Sequence, residues 1–503
     1  MREISAAGLA EFLRRADFGL EFPFVVLLGA GPVDATTGGA GDGPAAERLV
    51  CYRRLRLLPG KRLVCAGEWR GRKVVVKFYF APRKARRHWR RELAGLEALA
   101  AASLATPARL MAWPEREGVA GLILEELAAA RTLLELWRAA AEAAERFACL
   151  AAVTSEIAAH HRAGLVQSDI HWSNFLFSRG RVYTIDGDAV RAGAAGRELG
   201  RQASRENLAL FLAEPEAGID EHLSALWPLY CERRGWQPRS GEVAKLAAAI
   251  RRHRFVKAGK FIAKTGRDCT AFVCRREPGR LLLADRRRLL LPAFAELLAR
   301  PDDLLAAGTV LKAGNSATVV RVRTEDFDLV VKRYNIKNLR HALRRGPRPS
   351  RAWISWRNAW RLDWWGIATP RPWAMIERRV GGGWRSTAWF ISEYVPGRPA
   401  SELLPELDPA GPELAAWLER FAALLRRLYE LRLSHGDFKA TNFWCGADGC
   451  LYLLDLDALR AWPAVITPAF RRAAARDHRR LLANWRGLPH LEAAFERILG
   501  GVK

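Results

Sequence analysis

One pattern of spaced polar residues occurs twice in this 503-residue chain, and an internal repeat constrains a fold more than composition does. The first copy is Gln167-Ser168-Asp169-Ile170-His171-Trp172-Ser173-Asn174, followed by Tyr183-Thr184-Ile185 and then Asp186-Gly187-Asp188. The second is His435-Gly436-Asp437-Phe438-Lys439-Ala440-Thr441-Asn442, followed by Leu451-Tyr452-Leu453-Leu454 and Asp455-Leu456-Asp457. In each copy a carboxylate precedes a carboxamide by five residues, in a loop after a helical segment. About a dozen residues further on, an apolar run of strand character ends in Asp-x-Asp. The copies lie about 268 residues apart, which points to a duplication. Length agrees, since two domains of roughly 250 residues each bury a full core. The expected division is 1–250 and 251–503.

Phosphoryl transfer from ATP calls for these groups. One Asp accepts or orients the acceptor hydroxyl, while an Asn and a second Asp hold magnesium against the phosphates. The other parts a phosphate site needs recur upstream. Residues 55–80 read as strand, turn, strand, turn, strand, with Lys77 ending the alternating run Val74-Val75-Val76 and Glu92 on the helix that follows. Alone, Lys77 is a solvated strand end and Glu92 a charge on an exposed helix face; in series with Asp169, Asn174 and Asp186 they read as a site. The second half repeats the plan, with Lys332 ending Leu329-Val330-Val331. Its turn, Gly314-Asn315-Ser316-Ala317-Thr318, offers backbone N–H groups to phosphate but has one glycine. Glu92 stands fifteen residues before Pro107, and the same count back from Pro370 lands on Ser355, so Lys332 is expected to lack an acidic partner. Hinges between lobes are expected at Glu125-Glu126 and Glu393-Tyr394.

Charge is the compositional anomaly. Eighty-one basic residues against 54 acidic give a formal net charge of +27, a field that attracts polyanions. No recognition-helix, zinc or RNP pattern accompanies it, so nucleic acid is not the expected partner. The eight cysteines form no C-x-x-C pair and read as free thiols of a reducing compartment. No signal-peptide core opens the chain, and its early apolar run, "FPFVVLLGAG", is too short to span a bilayer. Residues 32–46 read as a flexible connection. Two segments stay open. The basic stretch 251–280 extends the second small lobe or forms a face for an anionic partner. Trp353, Trp356, Trp360 and Trp364 share one helical face, which packs in the small lobe or lies at a membrane interface.

The segments "HGDFKATNF", "YLLDLD", "LVVKRYN", "GIATPRP", "LPGKR…VVVK" and "IDGD" resemble the lipopolysaccharide core kinases, the Kdo and heptose kinases related to protein kinases and to aminoglycoside and choline phosphotransferases. The resemblance covers about 55–250 and 305–465. It implies an α+β chain of two protein-kinase-like bilobal domains in tandem, each with a small β-rich lobe and a larger helical lobe. It also implies ATP- and Mg2+-dependent phosphorylation of a sugar hydroxyl on a lipid-linked core oligosaccharide, at the anionic cytoplasmic face of the inner membrane. Carried over by position, Asp169 and Asp437 are catalytic bases, and Asn174, Asp186, Asn442 and Asp455 are magnesium ligands. Lys77 and Lys332 hold ATP phosphates, Glu92 orients Lys77, and Lys439 and His171 take the position that steadies the γ-phosphate. Two departures stand out: Gln167-Ser168 in place of His-Gly, and Ser355 in place of Glu. Other readings compatible with the motifs are a phosphotransferase acting on a protein or small soluble molecule, and a non-catalytic adaptor.

Overall fold

The computed structural model describes residues 2–15, 20–28, 47–193, 197–314, 317–334, 349–380 and 384–501. The chain is a mixed α+β protein of two compact units, 1–254 and 255–503. The division, four residues beyond the expected position, falls within a continuous helix, Glu242–Lys264. The expected flexible connection at 32–46 and the turn residues Asn315 and Ser316 lie outside the described residues.

Unit 1 opens with β1 (Arg2–Ser5), α1 (Ala6–Arg15) and β2 (Phe24–Leu28). The apolar run at 24–28 is buried as β2 inside the sheet. Then come β3 (Glu47–Leu58), β4 (Arg62–Trp69), β5 (Arg72–Tyr79), α2 (Ala85–Ala101), β6 (Arg109–Arg116) and β7 (Val119–Glu125). The sheet order is β1-β2-β3-β4-β5-β7-β6. Successive residues of β4 and β5 point to opposite faces, which puts Leu63, Cys65, Val74, Val76 and Phe78 together in one buried core. A helical part follows: β8 (Arg131–Thr132), α3 (Leu133–Ala139), α4 (Ala143–Arg162), β9 (Leu165–Gln167), β10 (Phe175–Ser178), β11 (Arg181–Thr184), β12 (Val190–Ala192), α5 (Arg201–Leu212), α6 (Leu223–Arg233) and α7 (Glu242–Lys264). Leu150, Val153 and Ile157 of α4, spaced three and four apart, meet Leu208, Phe211, Leu226 and Trp227 in its core.

Unit 2 contains β13 (Phe272–Glu277), β14 (Arg280–Asp285), α8 (Pro292–Ala299), α9 (Pro301–Ala307), β15 (Thr309–Ala313), β16 (Ala317–Arg323), β17 (Asp328–Tyr334), α10 (Arg351–Trp364), β18 (Pro372–Val380) and β19 (Trp384–Glu393). The sheet order is β13-β14-β18-β19-β17-β16-β15. Five strands repeat one topology across the units: β3-β4-β5-β7-β6 in the first and β15-β16-β17-β19-β18 in the second. The additions differ, β1 and β2 flanking β3 in unit 1, and β13 and β14 flanking β18 in unit 2. The basic stretch after 251 therefore supplies the end of α7 and two strands of the second sheet.

Helix α10 buries two of the four striped tryptophans, while Trp353 and Trp364 are half-buried. Trp356 and Trp360 are buried against Phe272, Leu281, Leu283 and Met375, and Trp356 Nε1 donates to Thr265 O at 3.0 Å. Beyond β19 come β20 (Gly397–Pro399), α11 (Ala400–Leu403), α12 (Pro412–Glu430), β21 (Leu433–Ser434), β22 (Phe443–Gly446), β23 (Leu451–Leu453), β24 (Arg460–Ala461), α13 (Pro468–Ala483) and α14 (Pro489–Gly500). Among the described residues no helix is long and apolar enough to cross a membrane. None of the eight cysteines is disulfide-bonded.

Candidate functional site

Each lysine of interest sits on the middle strand of its five. Lys77 of β5 pairs with Val64 and Leu122, and Lys332 of β17 with Val319 and Phe390. In unit 1 the Lys77 ammonium forms a buried ion pair with Glu92 of α2. The other Glu92 oxygen accepts from the backbone N–H of Asp188 at 3.1 Å, so α2 ties the sheet to the Asp186-Gly187-Asp188 turn. Burial, with Asp186 nearby, raises the Glu92 carboxyl above its ordinary range against the pull of Lys77.

The Asp–Asn spacing works as a local clamp. Asn174 Nδ2 donates to Asp169 O at 2.9 Å, and Asn442 Nδ2 to Asp437 O at 2.8 Å. The carbonyls of the same asparagines accept from Ile185 N (2.9 Å) and Leu454 N (2.8 Å), which brings each Asp-x-Asp turn beside its loop. Asp186 and Asp455 both take left-handed backbone angles, φ 70° and 54°. That conformation is uncommon for a non-glycine residue, and holding it takes support from the surroundings.

The departure at Gln167-Ser168 is compensated. Gln167 Nε2 donates to Ile185 O at 3.3 Å, while His435 Nε2 reaches the equivalent Leu454 O at 2.8 Å. The two side chains brace the same carbonyl. His171 is half-buried, and burial holds its pKa below the ordinary histidine value. Lys439, exposed, stands 3.4 Å from Asp437 Oδ2.

Ser355 does occupy the place of Glu92, and Lys332 is not left alone. Its ammonium lies 2.7 Å from Asp455 Oδ1, while Ser355 Oγ meets the Tyr334 hydroxyl at 3.0 Å. Burial works against the charged Lys332, yet Tyr334 and Asp455 outweigh it and raise its pKa. Lys332, with Arg351, holds the Asp455 carboxyl low against its burial.

These groups share a cavity of about 440 Å³ in unit 2. Lys332, Asn442 and Asp455 lie in its lining, with apolar walls from Val319, Val330 and Phe390, and with Glu393 and Tyr394, where a hinge was expected. An apolar slot with a few converging polar groups is the usual form of a small-ligand site. As donors, one carboxamide and one carboxylate suit magnesium, which keeps most of its waters and takes phosphate oxygens as ligands. Among the described residues no cluster of three or more His, Cys, Asp or Glu forms a dedicated metal cage.

Unit 1 brings the same groups together and adds one. Arg62, on β4 opposite Tyr79, stands 3.6 Å from Asp186 Oδ1. The equivalent position in unit 2 is Ala317, opposite Tyr334. Although burial would raise the Asp186 carboxyl, Lys77 and Arg62 hold it at about 2.

Several supporting residues went unread in the sequence. Asp477 of α13 accepts from His435 N (2.7 Å) and Gly436 N (2.9 Å), fixing the loop that carries Asp437. Asn207 of α5 has the corresponding place in unit 1, donating to Gln167 O at 3.0 Å. Asp477 was detectable in principle: it sits in the stripe Phe470, Ala473, Ala474, Leu481, where an acid is out of pattern. Arg480 lies 2.6 Å from Asp437 Oδ1. The second acids of the turns are also held, Asp188 by His88 and Arg91 (3.1 and 2.9 Å) and Asp457 by Arg351 (2.5 Å). Compared with known proteins, the chain matches no family model and no curated protein sequence.

Proposed function

We propose that the protein is an ATP- and Mg2+-dependent phosphotransferase made of two kinase-like bilobal halves, with transfer carried out in unit 2. The observation that carries this reading is the 440 Å³ cavity that gathers Lys332, Asn442 and Asp455 at the end of an apolar slot. Lys332 is placed to hold phosphate oxygens, and the apolar walls to take a base whose polar edge meets hinge backbone. Asp437, fixed through Asp477 and beside Lys439, orients the acceptor hydroxyl and takes its proton. When bound by Asn442 and Asp455, magnesium neutralises charge on the transferred phosphoryl group.

The acceptor we propose is a sugar hydroxyl of the lipopolysaccharide inner core, reached at the cytoplasmic face of the inner membrane. Its supports are the motif resemblance and a net charge of +27, which suits an anionic glycolipid in an anionic leaflet. Unit 1 differs from unit 2 in carrying Arg62 3.6 Å from Asp186, where unit 2 has Ala317.

The test is transfer of labelled phosphate from ATP to purified core glycolipid, delipidated core sugar, peptides and aminoglycosides. Core acceptors should be labelled, and Asp437→Asn should lower kcat by about 10²–10⁴-fold while ATP still binds. Undiminished activity in an Asp169→Asn/Asp437→Asn double variant would overturn the reading.

A further inference from the structure

A second cavity, of about 780 Å³, opens beside the Asp437 loop of unit 2. Gly436 and Asp457 line it, as do Arg460, Arg476, Arg479 and Arg480. Its two acids are already committed. Asp457 pairs with Arg351, and Asp477 accepts the backbone N–H groups of His435 and Gly436. Among the described residues no carboxylate lies within ion-pair distance of Arg460, Arg476 or Arg479, while Arg480 shares Asp437. The cavity wall therefore carries a concentration of unbalanced positive charge.

That charge is not part of the duplicated scaffold. Asn207 on α5 corresponds to Asp477 on α13, since each braces the loop before its Asp–Asn clamp. Counting from those anchors, Arg476, Arg479 and Arg480 correspond to Glu206, Ala209 and Leu210 of unit 1. Three arginines at i, i+3 and i+4 on one helix repel one another and weaken the helix. A guanidinium presents a planar fork that matches phosphate and carboxylate oxygens in pairs. One segment, running from the end of β23 to β24, lines both cavities of unit 2, Asp455 and Leu456 the first and Asp457 to Arg460 the second. Asp437 contacts both linings: Arg480 of the second pairs with its Oδ1 at 2.6 Å, and Asn442 of the first lies 3.4 Å from its Oδ2.

We propose that the arginines of α13, with Arg460, form a subsite for an anionic group, a phosphate or carboxylate carried on the acceptor sugar. The assignment of this subsite to the acceptor rests on the phosphotransferase reading; its affinity for anionic sugars does not. Anion binding there places a neighbouring hydroxyl of the same sugar at Asp437 and discriminates against neutral sugars.

The experiment is calorimetric titration of the full chain with glucose 6-phosphate, glucuronate and glucose, and separately with Mg-ATP. The variants are Arg476→Gln/Arg479→Gln and, as a charge-matched control on the same helix, Arg471→Gln/Arg472→Gln. All four residues are exposed, so the core is untouched, and melting curves verify folding. One or both anionic sugars should bind at least tenfold tighter than glucose. The first variant should lose that preference, the control should keep it, and both should bind Mg-ATP like the wild type. Equal binding of all three sugars by the wild type, or an equal loss in both variants, overturns the subsite. Flotation with phosphatidylglycerol and phosphatidylcholine vesicles separates the sources of anion. If Arg476→Gln/Arg479→Gln abolishes binding to the anionic vesicles and leaves sugar affinities unchanged, the arginines serve the membrane surface and the proposal fails. Failure of the wild type to bind Mg-ATP strikes the phosphotransferase reading instead, and leaves the sugar comparison to judge the cavity.

Discussion

At the scale of single residues, the two units solve one electrostatic problem differently. A lysine in the middle of a sheet must be paired, because burial penalises an isolated charge by several kcal/mol. Unit 1 supplies Glu92 from a helix, and unit 2, with Ser355 there, turns Lys332 onto Asp455. Arg62 then makes unit 1 unlike unit 2 at the neighbouring acid. Because Asp186 titrates at about 2, below its ordinary 3.8, its ionised form stabilises the fold. By linkage that contribution is present above pH 4, roughly 2 kcal/mol, and is lost as pH falls toward 2. Arg62→Ala should raise the Asp186 pKa by about one unit, read from a carbon-13 carboxyl titration, and lower stability at neutral pH. An Asp186 that stays near 2 in the variant would assign the whole effect to Lys77.

At the scale of elements, the contact that matters is between a helix and the Asp-x-Asp turn it covers. In unit 1 the backbones touch, and a Cβ placed on Gly95 of α2 would stand 2.0 Å from Gly187 O. In unit 2 the position equivalent to Gly95, counted from Glu92 and Ser355, is Asn358. Its Nδ2 donates to Leu456 O at 2.9 Å and Leu459 O at 2.8 Å. One unit uses close approach, the other an amide bridge. Gly95→Ala should force α2 away from the turn and cost about 1–3 kcal/mol. Asn358→Ala should leave Leu459 O without its donor, while Leu456 O keeps the Leu459 N–H, for about 1–3 kcal/mol. Urea titrations of the full chain measure both. On the proposed function, Asn358→Ala should also weaken Mg-ATP binding, because the turn it braces carries Asp455. A neutral Gly95→Ala would mean that the helix slides freely over the turn.

At the scale of the whole molecule, stability should depend on pH through buried histidine. His161 is buried between the Tyr230 hydroxyl (2.7 Å) and Asn207 Oδ1 (3.0 Å), and burial lowers its pKa from 6.5 to about 4. As pH falls below 6.5 the unfolded chain takes up a proton that the native chain refuses until about 4. Stability therefore drops across that window by about 1.4 kcal/mol per pH unit, roughly 3 kcal/mol in all. His161→Gln retains one donor and one acceptor and should flatten the melting temperature between pH 6.5 and 4. An unchanged slope would place the proton uptake elsewhere.

What the sequence determined by itself was local. Apolar runs broken by turns along 55–80 specified strands, and the five-residue step from Asp to Asn specified a polar loop after a helix; the return of the amide to the aspartate carbonyl belongs to the structure. The repeat at about 268 residues required the arrangement to occur twice. These features follow from backbone geometry over a few residues, so they are written in spacing. Even the missing partner of Lys332 was legible by counting. Its replacement by Asp455, 123 positions away, was not. Neither was Arg62 on Asp186, the support of Asp477 under the His435 loop, or the gathering of Arg460 with Arg476 and Arg479. Tertiary structure alone decided those, because the partner a charge finds depends on which distant segments the packing of helix against sheet brings within a few ångströms.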